Sequence, residues 1–191
     1  LMIRRPPRST RKESSAASDV YKRQAEHMAV RQKVGMFDMS SFGKIKLIGR
    51  DAEAVLQIIA ANDVAVPLGK IVYTQFLNDD GHIEADVTVT RRGPDEFLLA
   101  APAAKIRRDL HSMNGHSPAQ AHAIAIDVTV SESVLVVMGP EARSFLQPMI
   151  PQSLANDDFA FGTMQQIEIG HAVARAHRCL LYTSDAADDS L

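Results

Sequence analysis

The first pattern along the chain is an apolar side chain at every second position, or a short apolar run, that recurs in separate stretches. Stretches of this kind are typical of β-strands. They cover residues 44–48, 71–77, 83–90, 96–101, 123–130, 134–138, 164–169 and 172–176. Residues 78–81, Asn-Asp-Asp-Gly, have the composition of a turn, so the strands on either side are predicted to form a hairpin. Residues 123–130 and 134–138 are predicted to pair in the same way.

A second pattern, with apolar positions three and four residues apart, predicts helices between the strands. Asp51 is predicted to cap the first helix by accepting a backbone N–H bond, with Ile58 on the buried face. A second helix is predicted from about residue 103 to 113, and a third begins at Gly139-Pro140. Strands, helices and hairpins in this mixture predict an α+β fold with mixed or antiparallel sheets and packed helices.

The two ends of the chain differ in composition from its middle. Residues 1–24 are rich in Arg and Ser, as transit peptides and basic binding arms are. The genetic code favours another origin, since a DNA word that encodes Ser14 to Gln24 has a reverse complement that encodes Cys179 to Asp188 after a one-base shift. Residues 1–24 and 179–191 are therefore interpreted as non-native, translated sequencing-adapter DNA, with the first segment disordered. Residues 25–178 remain as a natural fragment, truncated at both ends.

Composition also argues against several kinds of partner. A net charge of -2 gives no basic surface for nucleic acid. No apolar run approaches the ~20 residues that cross a bilayer, so no membrane partner is expected. The seven histidines show no metal-ligand spacing, and we predict no metal site. Without a credible targeting segment, a bacterial cytoplasm is the expected location.

The strand at residues 83–90 carries the candidate chemistry. Alternation gives it an apolar face, formed by Ile83, Ala85, Val87 and Val89. The opposite face is polar and is formed by Glu84, Asp86, Thr88 and Thr90. A carboxylate among hydroxyls on a firm strand can hold an amine or a ring N–H. The alternative, which the pattern alone favours, is a solvated sheet face.

Motifs around this strand resemble the aminomethyltransferase family, the glycine-cleavage T-protein. Residues 29–44, AVRQKVGMFDMSSFGK, are similar to the family's N-terminal motif, and residues 73–90, YTQFLNDDGHIEADVTVT, to its central motif. The resemblance covers nearly all of residues 26–178. Met39-Ser-Ser-Phe42 and Glu84-Ala-Asp86 resemble the version found at the C-terminus of FAD-dependent dimethylglycine and sarcosine dehydrogenases.

The resemblance implies a truncated folate-binding domain that uses tetrahydrofolate. In the family, the one-carbon unit of an oxidised N-methyl amine, such as dimethylglycine or sarcosine, becomes 5,10-methylenetetrahydrofolate. FAD is implied in a separate upstream domain, and the fragment alone is expected to be inactive. Asp86 falls at the essential aspartate, and Phe42, Tyr73, Ala100 and Pro102 fall at positions that line the folate site. Phe42 and Tyr73 could stack on the pterin ring.

Two alternatives stay open within the same resemblance. A free aminomethyltransferase has the same chemistry without the flavin. A non-catalytic folate-binding module of iron–sulfur protein maintenance departs from the aspartate motif, and Asp86 argues against it. Pro102 stands where the T-protein often has Asn, so one hydrogen bond to folate is expected to be absent.

Overall fold

The structure, a computed structural model, describes residues 9–179 and the side-chain environments from residue 21 onward. In chain order the elements are α1 (Ser9–Gln32), β1 (Gly35–Asp38), β2 (Gly43–Ile48), α2 (Ala52–Ile59), β3 (Ile71–Leu77), β4 (Ile83–Gly93), β5 (Glu96–Ala101), α3 (Ile106–His116), β6 (Ile124–Asp127), β7 (Leu135–Met138), α4 (Ala142–Leu146), β8 (Thr163–Ile169) and β9 (Ala172–Arg178). The chain divides into a small unit, residues up to 37 with 137–146, and a large unit that holds the rest. The predicted α+β class is confirmed.

The five-stranded sheet of the large unit has the order β3-β4-β5-β2-β6. Every neighbouring pair in it is antiparallel, including the predicted hairpin of β3 and β4. The hairpin turn contains Gly81 at a φ of 78°, a left-handed conformation that glycine adopts without strain. The apolar residues of one sheet face pack with α2 and α3 into the main core, which includes Leu47, Val55, Leu56, Val87, Val89, Phe97, Leu99 and Met113.

A second group of buried apolar residues lies outside that core cluster. It consists of Ile71, Leu98, Ile150, Leu154, Phe159 and Ile167. The β8–β9 hairpin is bonded to the start of β3, where the Ile71 N–H donates to Gly162 O at 2.8 Å and the Met164 N–H to Gly69 O at 2.6 Å. The segment from residue 147 onward therefore forms a partial second layer of the large unit.

Helix α1 and the pairing of β1 with β7 characterise the small unit. Gly139 follows β7 at a φ of 116°, and a Cβ there would lie 2.4 Å from Lys33 O and 2.6 Å from Val30 O. Only glycine permits this close approach of two backbone segments. No helix among the described residues is long and apolar enough to cross a bilayer.

The N-terminal segment is helical where the structure describes it. Residues 9–24 belong to α1, and residues 1–8 lie outside the described residues. That residues 1–24 are a non-native, disordered segment stays a prediction. The helix contains neither Gly nor Pro and is rich in Ala, Arg, Lys, Glu and Gln, which favour helix locally. Residues 21–29 are all exposed, so this part of the helix is stabilised by helix propensity more than by burial. At the other end only Cys179 of the predicted adapter tail is described.

Three local predictions are wrong, two of them because a distant contact overrides a local pattern. The Asp51 carboxylate makes no cap bond and instead accepts the His122 N–H at 2.7 Å. Ile58 is exposed, because the buried face of α2 is formed by Ala52, Val55, Leu56 and Ile59. Strands β6 and β7 do not pair with each other, because β6 adds to the edge of β2 and β7 pairs with β1.

Candidate functional site

The sheet register brings the predicted site residues onto adjacent rows of the outer face of the sheet. Thr88 of β4 lies between Tyr73 of β3 and Ala100 of β5. Ala100 in turn pairs with Lys44 of β2. With strands about 4.8 Å apart, this row spans roughly 15 Å, which is wide enough for a flat ring system.

A second row lies one pleat away and contains the candidate catalytic residue. Asp86 pairs there with Gln75 of β3. Gly43 and Ala101 are paired partners on β2 and β5, so the next residues outward, Phe42 and Pro102, adjoin the same end of the sheet. The sheet therefore places Tyr73, Asp86 and Ala100 on one face, with Phe42 and Pro102 directly beyond the ends of β2 and β5.

The carboxylate of Asp86 is held by two side chains of β3. The Tyr73 hydroxyl donates to Oδ1 at 3.0 Å, and the Gln75 amide donates to the same oxygen at 3.2 Å. Asp86 itself is exposed, and Tyr73 is 50% exposed. The hydrogen bond to Asp86, with partial burial and the carboxylate charge, raises the pKa of Tyr73 above its ordinary value. The tyrosine therefore remains a neutral donor at physiological pH.

The polar face of β4 changes along its length. Asp86 is open to solvent, whereas Thr88 is buried and Thr90 is 1% exposed. The Thr90 hydroxyl lies 3.4 Å from Nδ1 of His177 on β9, in the partial second layer. The face is therefore not uniformly solvated, and the open part is a bounded patch around Asp86. Ile83, predicted on the core face, is exposed because the hairpin register shifts between Phe76 and Leu77.

The loop before β2 is fixed by a buried lysine. Lys44 is 2% exposed, and its ammonium donates to Ser40 O at 2.9 Å and to Phe42 O at 3.0 Å. These bonds hold the backbone that carries Phe42, whose side chain is half-buried. Ala100 is half-buried and Pro102 is exposed, so both can contact a ligand above the sheet.

Sequence reasoning missed Gln75 and Lys44 as parts of this site. Gln75 stands two residues after Tyr73 on the same strand, so period-two alternation applied to both strands of the hairpin would have placed it beside Asp86. Lys44 was part of a quoted motif, but nothing in its neighbours signals that a lysine at this position is buried.

One buried carboxylate lies beyond the candidate site. Asp109 of α3 is 2% exposed, and its Oδ2 has no hydrogen-bond partner among the described residues. Burial raises the pKa of this carboxyl, while Arg108 and Lys105 lower it. Arg108 bonds Glu84 through the backbone oxygen and through Oε2, the latter at 3.3 Å. Within residues 9–179, no cluster of three or more His, Cys, Asp or Glu could hold a metal ion.

Comparison with protein families decides where this chain belongs. The family model described as the GCVT N-terminal domain matches residues 11–187. The chain belongs to the GCVT N-terminal domain family. This confirms the resemblance drawn from the motifs and makes it an aminomethyltransferase-type domain. The matched range includes parts of both segments interpreted as adapter sequence, and the origin of those segments remains a prediction.

Curated relatives of this GCVT domain include enzymes of two kinds. It is 36% identical over 149 residues to 4-methylaminobutanoate oxidase (formaldehyde-forming) of Paenarthrobacter nicotinovorans, a match that covers 77% of this chain and 18% of the oxidase. It is 34% identical over 130 residues to the aminomethyltransferase of Thermotoga petrophila, covering 68% of this chain and 35% of that enzyme. The chain thus spans only 18% and 35% of the length of these two relatives.

Two solved structures share the fold of the GCVT domain. The glycine cleavage system aminomethyltransferase T of Bartonella henselae matches with a TM-score of 0.64 and 23% identity, over 73% of this chain and 37% of that one. Heterotetrameric sarcosine oxidase from Corynebacterium sp. U-96 matches with a TM-score of 0.61 and 19% identity, over 81% of this chain and 76% of that one. At these identities the likeness concerns the fold alone.

Proposed function

We propose that this domain binds tetrahydrofolate and serves one-carbon transfer from an oxidised N-methyl amine, with Asp86 as the catalytic residue. The observation that carries the proposal is the open patch of the sheet, where the exposed carboxylate of Asp86 lies beside the half-exposed ring of Tyr73. One oxygen of this carboxylate accepts no hydrogen bond from the part of the chain that the structure describes. The residues present fit the group, because a flat heterocycle with N–H donors matches an aromatic face next to a carboxylate.

In this proposal, most side chains of the patch bind the ligand and Asp86 takes part in the reaction. Bound tetrahydrofolate supplies the nitrogen nucleophile that captures the carbon. Asp86 Oδ2 accepts a hydrogen bond from that N–H and takes its proton as the nitrogen bonds to carbon. Tyr73 and Phe42 provide the aromatic surfaces, and Ala100 and Pro102 offer small contacts that let a ring approach the sheet.

We assign the domain to an FAD-dependent amine oxidoreductase, with the flavin in a separate domain. Support comes from the relative of 36% identity, which is named as a formaldehyde-forming oxidase of an N-methyl amine. The fold is also shared with sarcosine oxidase. Dimethylglycine and sarcosine are substrates of this class. A flavin bound in that separate domain would supply the two-electron oxidation of the amine. The present domain would then hold folate so that the carbon is captured and not released as formaldehyde.

A free aminomethyltransferase is the second candidate, and the similarity to the Thermotoga petrophila enzyme favours it. Both candidates use Asp86 in the same way and differ in whether a flavin oxidises the amine. Purified full-length protein distinguishes them. An absorbance spectrum with flavin bands, together with amine-dependent oxygen or dye reduction, supports the oxidoreductase. A colourless protein that transfers carbon only from a carrier-bound aminomethyl group supports the free enzyme.

Asp86→Asn in the full-length protein tests the role of the carboxylate. The change keeps the shape and removes the base, so transfer to tetrahydrofolate should fall by about 10²–10⁴-fold. Amine oxidation should continue, and formaldehyde should accumulate in place of methylenetetrahydrofolate.

Glu84→Gln, two residues away on the same strand face, is the matched control. Glu84 binds Arg108 and Asn78 and should matter little for transfer. Both products are followed in both variants. Unchanged folate product with Asp86→Asn would refute the catalytic assignment.

A further inference from the structure

The two donors to Asp86 occupy a single carboxylate oxygen. Tyr73 and Gln75 are neighbours on the same face of β3, and their hydrogen bonds to Oδ1 measure 3.0 and 3.2 Å. A carboxylate oxygen has two lone-pair directions, so two donors fill Oδ1. Among the described residues, no group donates to Oδ2. Of the two carboxylate oxygens of Asp86, Oδ1 is therefore filled and Oδ2 remains open to a ligand.

We propose that Tyr73 and Gln75 are positioning residues, which lock the Asp86 carboxylate through Oδ1 and present Oδ2 as the acceptor for a single ligand N–H. This rests on the function proposed above and adds the mode of recognition. A ligand edge with two parallel N–H groups, such as an amidine or guanidine, needs both oxygens of a carboxylate. Because Oδ1 is filled, Asp86 cannot bind both N–H groups of such an edge. It can accept one hydrogen bond, from a single reacting nitrogen of the ligand.

Both donors are neutral, so the Asp86 carboxylate is held in place without a cationic partner among the described residues. A guanidinium partner would fix the group as firmly but would stabilise its charged form and weaken it as a base. Arg108 of α3 is bonded to Glu84, two residues before Asp86 on β4. The Tyr73 ring remains 50% exposed while its hydroxyl is bonded, so the same residue can position Asp86 and offer a stacking face.

Titration of the Tyr73 phenol in the 191-residue chain tests the contact without any folate. The bond to Asp86 raises the pKa of Tyr73, and the Gln75 side chain lowers it. Asp86→Asn should therefore move the pKa of Tyr73 down towards the ordinary value of 10.0 for tyrosine, and Gln75→Met should move it up. Ring-carbon NMR signals, assigned through Tyr73→Phe, report the change, with exposed Tyr21 as the internal control. A phenol that responds to neither change overturns the proposal.

Transfer kinetics in the full-length protein test the consequence. Tyr73→Phe keeps the ring and removes only the hydroxyl, and Gln75→Met keeps the length and removes the amide. Each should lower kcat roughly tenfold, the scale of a modest misplacement of a catalytic group, with little change in KM for folate.

A double-mutant cycle separates positioning from stacking. In an Asp86→Asn background, Tyr73→Phe should have no further effect on kcat, because its hydroxyl acts only through the carboxylate. Additive effects would overturn the proposal. The two hypotheses also fail separately. If Asp86→Asn leaves transfer intact, the catalytic role is wrong, while the phenol titration still decides whether the lock exists. If Asp86→Asn abolishes transfer and Tyr73 does not respond, the lock is wrong and the catalytic role stands.

Discussion

The outer face of β4 contains two environments on one strand. Around Asp86 the face is open, polar and organised by hydrogen bonds across the hairpin. Four residues further along, Thr90 is buried beneath the segment that includes β8 and β9. The alternation of side chains is the same at both positions, so the difference comes from how far the second layer reaches. The open half can meet a ligand, and the closed half anchors the strand that presents it.

The largest test of this comparison is a pair of substitutions, one in each half. Leu98 pairs with Thr90 and is buried, so Leu98→Ala should lower the free energy of unfolding by about 2–5 kcal/mol. Asp86→Asn in the open half should change it by less than about 0.5 kcal/mol, because it alters an exposed group. Urea denaturation of the 191-residue chain measures both. Equal losses would mean that the open half is structural.

A smaller test concerns the hydroxyl in the closed half. Thr90→Val removes the contact with His177 while keeping the shape of the side chain, and it should cost about 1 kcal/mol, the usual net value of one hydrogen bond. The same substitution at Thr88 should cost less, because its hydroxyl makes no hydrogen bond to the second layer among the described residues and it lies nearer the open end. Chemical denaturation measures both losses. A larger loss for Thr88→Val than for Thr90→Val would contradict the division of the face into an open and a closed half.

The smallest effect is expected at the buried carboxylate of α3. Because the pKa of Asp109 is raised by burial, the folded protein holds this proton more tightly than the unfolded chain does. The favourable contribution of this group to the free energy of unfolding is fully present below pH 3.8, the ordinary pKa. It is lost as the pH rises through the raised pKa of the folded protein. Asp109→Asn should therefore gain stability relative to the wild type as pH rises from about 4 to 7. The gain is modest, because the amide of the variant still needs partners.

Unfolding curves at several pH values between 4 and 7 measure the difference between the two proteins. A stability difference at Asp109 that stays constant across this range would contradict the assignment of a raised pKa to its carboxyl.

The sequence predicted the parts of the site that depend on local order. Alternation and the turn at Gly81 were sufficient for the β3–β4 hairpin, and the motifs directed attention to Asp86 and Tyr73. Gln75 was missed because its role appears only when the two strands are aligned in register. Asp51 was given a cap role that its carboxylate cannot perform while it binds His122, a residue 71 positions away. Edge pairing of β6 had no local signal either, since strand partners are chosen by the whole sheet.

The buried ammonium of Lys44 has a consequence for chemical labelling. Amine-reactive reagents modify lysines that reach solvent, and Lys33 and Lys105 do so in the folded protein. Lys44 is enclosed and bonded to two backbone oxygens, so it reacts only after the loop that carries Phe42 has opened. Its rate of acylation, measured by mass spectrometry, therefore reports how often this edge of the open patch around Asp86 opens. Any ligand that binds against Phe42 should lower the rate of Lys44 acylation.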